Sequence, residues 1–218
     1  MRLIVHKPAV NPNWVTKGTY VASVDEKREW ILENEHQLAG KISREIIHKP
    51  ELNVWMIIIP VIFVYFFFQL NRSVNAKKEF VQNFVLTRKN ILNEAGALFE
   101  DEEKPDFEEM AKSEKVPDFA VEAYKTWANV LFEHYQKLLN EKGDSYAELV
   151  RGRYENRDRY LLILDRMSKA ENKFYKALRK DLDGSVKNAG DVIQAMEKSL
   201  PLLRREEADG IFSTAGDT

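Results

Sequence analysis

The sequence predicts an all-α protein: a single membrane-anchoring helix, an N-terminal amphipathic helix before it, and an elongated C-terminal helical hairpin or bundle after it. Three observations predict this. Leu, Ala, Glu and Lys are plentiful in a 218-residue chain with only nine Gly and seven Pro, a balance that favours helices over a turn-rich sheet fold. Apolar residues recur at three- and four-residue spacing, and no alternating strand pattern competes. One long uncharged apolar run interrupts an otherwise polar chain of negative mean hydropathy.

Residues 1–22 contain Pro8, Pro12 and Gly18 without helical periodicity and are expected to be an irregular tail. Ser23 and Glu26 form a capping-box pattern that opens an amphipathic helix over 23–49. Its stripe is Ile31, Leu38, Ile42 and Ile46, and Pro50 ends it. Such a helix can lie along a membrane surface, or pack on the C-terminal bundle if both lie on one side.

Residues 52–70 are the expected anchor, carried by Leu52, Val54, Trp55, Met56, Pro60, Phe63, Tyr65, Phe66, Phe67, Phe68 and Leu70. A helix of that length covers about 28 Å, close to the hydrocarbon thickness of a bilayer. The aromatic residues towards its ends suit the membrane–water interfaces. Pro60 allows either a kinked transmembrane span or a re-entrant wedge. The single-pass span is the leading expectation. Lys41, Arg44 and Lys49 precede the run, whereas Arg72, Lys77, Lys78, Arg88 and Lys89 follow it. That asymmetry leans towards a cytoplasmic C-terminal part.

Residues 71–218 are expected to form a membrane-tethered helical bundle. Val81, Phe84, Val85, Ile91, Leu92, Ala95 and Leu98 mark its first helix, and an acidic connector follows over 100–117. Within it, Pro105-Asp106-Phe107 is echoed by Pro117-Asp118-Phe119, two helix starts sharing one local chemistry. Phe119, Ala123, Trp127, Val130, Leu131, Tyr135 and Leu138 then form a strong stripe that Gly143 ends. Ser145 and Glu148 open the longest expected helix, continuous to about Leu182. A shorter helix reaches Leu200, and Pro201 begins one more set of turns. The short link at Gly143 folds two long helices into an antiparallel hairpin.

The formal net charge of -2 gives no pull towards nucleic acid. Absence of cysteine excludes disulfides, thiolate metal sites and cysteine nucleophiles. Two Glu-x-x-His pairs, Glu33 with His36 and Glu45 with His48, have the spacing that supplies half of a carboxylate-bridged di-metal site. Both lie on one helix about 18 Å apart, so they cannot share a centre within it. His134 reads as a half-exposed surface residue with no nucleophile to activate. Arg151, Arg153, Arg157 and Arg159 interleave with Tyr154 and Tyr160. Acidic neighbours make this a salt-bridged face rather than a phosphate-binding one. No catalytic, cofactor or small-molecule motif stands out.

The expected function is a membrane-anchored interaction or scaffold protein without catalytic activity. Its expected partners are the lipid bilayer and other membrane-complex subunits, or a second copy bound through the helical stripes. A cofactor-free accessory subunit of a redox or transport complex is the alternative. A metal-binding protein built on the Glu-x-x-His pairs ranks third.

Overall fold

A computed structural model describes residues 22–47, 76–99, 104–182 and 189–213. These contain seven α-helices and no strand: α1 (Val24–Ile47), α2 (Ala76–Ala97), α3 (Phe107–Ser113), α4 (Asp118–Leu139), α5 (Tyr146–Tyr154), α6 (Arg157–Leu182) and α7 (Ala189–Ser213). The expected all-α bundle is present. The anchor at 52–70 lies outside the described residues, as do the irregular tail at 1–21 and His48. Among the described residues no helix is long and apolar enough to cross a membrane.

The helix starts follow local chemistry. Ser23 and Glu26 form the capping box of α1, with Glu26 N–H donating to Ser23 Oγ at 3.2 Å and Ser23 N–H to Glu26 Oε2 at 2.8 Å. Asp106 caps α3 by accepting from the amides of Glu108 and Glu109. In the echoed motif Pro117 takes the cap position and Asp118 stands inside the first turn of α4. The two copies therefore start helices by different means.

Helices α1, α2, α4, α6 and α7 close a ring in which each packs on the next and α7 returns to α1. Three of the pairs show antiparallel packing through side-chain contacts, α1 with α2, α4 with α6, and α6 with α7. On α1 and α2, Arg28 meets Asn93 and Glu35 meets Arg88. On α4 and α6, Trp127 stacks on Phe174 and Glu133 pairs with Arg166. On α6 and α7, Arg157 meets Asp209 and Ser168 meets Arg204. The short α3 packs on α4, and α5 contacts α1, α4, α6 and α7.

Two apolar clusters fill the ring. The larger gathers Ile91, Tyr124, Leu131, Leu138, Leu149, Tyr160 and Phe174 with their neighbours. The smaller joins Leu38, Ile42, Phe80, Phe84, Met196 and Leu200, from the later half of α1 and the earlier halves of α2 and α7. Burying each such side chain contributes about 1.5–3 kcal/mol against leaving it in water.

Three expectations are corrected. The helix from Ser145 is not continuous: Glu155 takes a positive φ of 62°, and Asn156 restarts the chain by accepting from Arg159 N–H. A non-glycine residue in that region ends α5, because its side chain crowds the backbone there. Pro201 does not begin a new helix but sits inside α7. It removes one backbone hydrogen bond, while Met196 and Leu200 before it and Ala208 and Ile211 after it are all buried, so the helix is packed on both sides of the proline. Phe119 is 53% exposed, and Ala120 and Tyr124 carry the buried face of early α4 instead. The short helix expected at the first of the two echoed starts is present as α3, capped by Asp106 and ending at Ser113.

Candidate functional site

A belt of buried charge crosses the bundle. On α1, α2 and α7 it lies where one apolar cluster gives way to the other: Glu35 follows Ile31 and precedes Leu38, Arg88 lies between Phe84 and Ile91, and Arg204 lies between Leu203 and Ala208. Helix α6 adds Glu171, Ser168 and Tyr175, and α4 adds Tyr135. All five ring helices contribute at least one polar side chain.

Arg88 is the hub. Its Nη2 pairs with Glu171 Oε1, its Nε lies 3.1 Å from Glu35 Oε2, and its Nη1 donates to Phe84 O at 3.0 Å. Its guanidinium carbon stands 3.5 Å from the centre of the Phe84 ring, a stacking that suits a planar cation. Glu171 also accepts from Arg204 Nη2 at 2.9 Å and from Tyr175 Oη at 2.9 Å. Arg204 Nη1 donates to Ser168 Oγ at 2.7 Å, and Tyr135 Oη donates to Glu35 Oε1 at 2.7 Å. Two carboxylates therefore face two guanidiniums.

The electrostatics keep Arg88 and Glu171 ionised. Burial opposes the charge on Arg88, but Glu171 and then Glu35 outweigh it and raise its pKa. Burial likewise works against ionised Glu171, and Arg204 and then Arg88 reverse the balance and hold its pKa below the ordinary carboxylate value. Burial and then the neighbouring carboxylates push the Tyr135 and Tyr175 phenols upwards, so both stay protonated donors. A buried pair of this kind strongly resists loss of one partner, because an unpaired charge would remain in the interior.

A second cluster adjoins the belt. Tyr160 Oη donates to Glu207 Oε1 at 2.9 Å, Asn34 reaches the same oxygen at 3.3 Å, and the Tyr146 and Tyr160 hydroxyls are 2.9 Å apart. Burial raises the pKa of Glu207. His134 is only 2% exposed, a correction to its expected surface position. Its Nδ1 lies 2.6 Å from Tyr154 Oη, and its ring stacks on Tyr154 and Tyr160. Burial first, then Arg204 and Lys137, lower its pKa to about 3, so it is neutral at physiological pH.

The sequence-derived candidates separate from this belt. Glu33 and His36 are exposed on the outer side of α1, the side chain of Glu45 lies outside what the structure describes, and so does His48. Among the described residues no three His, Asp or Glu side chains are placed to hold a metal ion. The arginine–tyrosine cluster is engaged within the fold. Arg151 donates to Ile211 O, Arg157 meets Asp209, Arg159 pairs with Glu155, and Tyr154 and Tyr160 are buried.

Sequence reasoning passed over Glu35, Arg88, Glu171 and Arg204, although a signal was present. Each charge stands in an apolar stripe, three or four residues from a buried neighbour on either side: Ile31 and Leu38, Phe84 and Ile91, Met167 and Phe174, Leu200 and Ala208. In helices this rich in Glu, Lys and Arg, four misplaced charges do not stand out.

Chemically the belt fixes the register of five helices by pairing every charge across a helix boundary. No family model matches this sequence, and no curated protein or solved structure is significantly similar to it.

Proposed function

We propose that this protein is a membrane-anchored helical interaction or scaffold protein without catalytic activity of its own, tethered to a lipid bilayer through residues 52–70. One observation carries the reading. The apolar run joins α1 to α2, two helices clamped together by the buried Glu35–Arg88 pair, so the anchor is built into the frame of the bundle rather than appended to it. Nineteen residues of that hydrophobicity match the length rule for insertion into a bilayer.

The outer surface supports an interaction role. A groove of about 540 Å³ lies between α6 and α7, lined by Leu161, Leu162, Leu164 and Pro201 together with charged residues that include Asp158, Asp165, Lys169 and Arg205. Leu162 is 72% exposed and Leu202 on α7 is 58% exposed. Large apolar side chains left in water beside a groove are a feature of surfaces that meet partners.

The test compares the full chain with a variant in which residues 48–75 are replaced by a short Gly/Ser turn. The full chain is expected in the membrane fraction, and the variant in the soluble fraction with unchanged helical content. Equal partition of the two would overturn the anchor. Extraction in mild detergent followed by native mass measurement is expected to show bound subunits or a second copy. A clean monomer would overturn the interaction role.

A further inference from the structure

The way α1 and α2 pair constrains how residues 52–70 meet a membrane, given the anchoring role proposed above. Arg28 of α1 lies against Asn93 and Gly96 of α2, Glu35 against Arg88, and Leu38 and Ile42 share a cluster with Phe80 and Phe84. Each step towards residue 47 on α1 is matched by an equal step towards residue 76 on α2. Ile47 and Ala76 therefore finish at the same end of the bundle, on neighbouring helices whose axes are about 8–10 Å apart.

A single-pass span cannot join two such points. It would set them on opposite faces of a hydrocarbon layer about 30 Å thick, and α1 could not then reach α2, α4 and α7. We propose that residues 52–70 enter and leave the bilayer through the same face, so that α1 and the remaining helices all lie on one side. The protein is then a one-sided membrane protein whose bundle rests with its α1–α2 end against the lipid.

The sequence of the run fits this course. Pro60 divides it into arms of eight and ten residues, which as helix would reach about 12–15 Å, the depth of one leaflet.

The charge at this end fits as well. Lys41, Arg44 and Lys49 on one flank and Arg72, Lys77 and Lys78 on the other face only Glu45, Glu51 and Glu79, in a chain whose formal net charge is -2. With both flanks at one surface, this excess meets anionic lipid headgroups. Arg88, one of the five basic residues counted after the run, is buried against Glu171 and faces no membrane.

The chain lacks cysteine, so single cysteines report sidedness directly. Glu29→Cys on α1 and Ser113→Cys at the end of α3 are both at exposed positions. Each full-length variant is expressed in bacterial cells, recovered with the membrane fraction, and treated in intact spheroplasts with a membrane-impermeant maleimide, then again after lysis. The expected result is the same state for both before lysis, either both protected or both labelled. One labelled and one protected overturns the one-sided course. Absence from the membrane fraction overturns the anchor itself and this inference with it, and the fractionation reads that failure separately from the labelling.

Flotation of the purified full chain tests the headgroup chemistry. Vesicles of phosphatidylcholine with about one-third phosphatidylserine are expected to carry several-fold more protein than phosphatidylcholine alone. The triple change Lys49→Glu, Lys77→Glu, Lys78→Glu is expected to abolish that difference. Equal flotation on both vesicles overturns the anionic contact.

Discussion

Glu171→Gln isolates the charge at the centre of the buried belt. The amide keeps the volume of the side chain and one carbonyl acceptor, but it leaves Arg88 and Arg204 facing each other with Glu35 as the only remaining carboxylate among the belt's charges. Both guanidiniums are buried, at 3% exposure, so neither can recover its hydration. Removing one partner of a buried pair costs about 3–5 kcal/mol, and the upper part of that range applies because Glu171 serves two arginines and Tyr175. Urea unfolding of the full chain in mild non-ionic detergent, followed by far-UV circular dichroism at pH 7, reads the effect. With a slope of about 2 kcal/mol per molar urea the midpoint should fall by about 2 M. The melting temperature should fall by about 6–20 °C for a chain of this length. The pair Glu171→Leu with Arg204→Leu removes one charge of each sign and leaves Glu35 with Arg88, so it should recover at least about 2 kcal/mol of the loss. A cost below about 1 kcal/mol for Glu171→Gln, the level of a solvent-exposed pair, would refute the account of a dry, charge-matched belt.

Three further outcomes follow from the same packing. His134 has its pKa lowered from 6.5 to about 3, so between those values the unfolded chain binds a proton that the folded chain does not. Its contribution is therefore complete above pH 6.5 and is lost as the pH falls towards 3, at about 1.4 kcal/mol per pH unit. The stability difference between the natural chain and His134→Asn, measured by urea unfolding from pH 7 to 4, should shrink at that slope; a constant difference contradicts the buried neutral imidazole. Glu207 has a raised pKa, so its folded-state proton favours folding at low pH and is lost as the pH rises through the raised value. Glu207→Gln, which keeps a carbonyl for Tyr160, should match or exceed the natural stability at pH 8, whereas a loss above about 2 kcal/mol would show a charge needed there. Gly143→Ala places a methyl 2.8 Å from Glu148 Cβ and 3.2 Å from the backbone carbon of the same residue, and should cost about 1–3 kcal/mol in thermal or urea unfolding. Gly40→Ala meets nothing within 4 Å inside α1 and should add about 0.5–1 kcal/mol; the reverse order of the two would contradict the packing.

Much of the helical outline was legible because its causes are local. Ser23 with Glu26 and Ser145 with Glu148 open helices through contacts spanning three residues. The stripe through Trp127, Leu131, Tyr135 and Leu138 follows from helical spacing alone and is buried as expected. Boundaries failed where distant packing overrode local preference. Pro201 reads as a start, yet α7 runs through it because buried residues on both sides dock on the bundle. Glu155 reads as helix interior, yet the chain breaks there so that Tyr154 and Tyr160 can both close over His134.

The candidate site was legible least. The Glu-x-x-His pairs are defined by spacing along one helix, and the described pair stays at the surface. The belt is defined by which helices meet, and each of its four charged residues has a partner at least 33 positions away in the chain. The sequence by itself determined that the chain is helical, where most helices begin, and that one uncharged run stands apart from the rest. Only the tertiary structure decided that α1 closes the ring beside α2, that four charges among many are buried and paired, and that Ile47 and Ala76 meet at one end. The physical reason is range: capping and amphipathic spacing act within a few residues, whereas charge pairing and helix register depend on contacts that exist only once the bundle has closed.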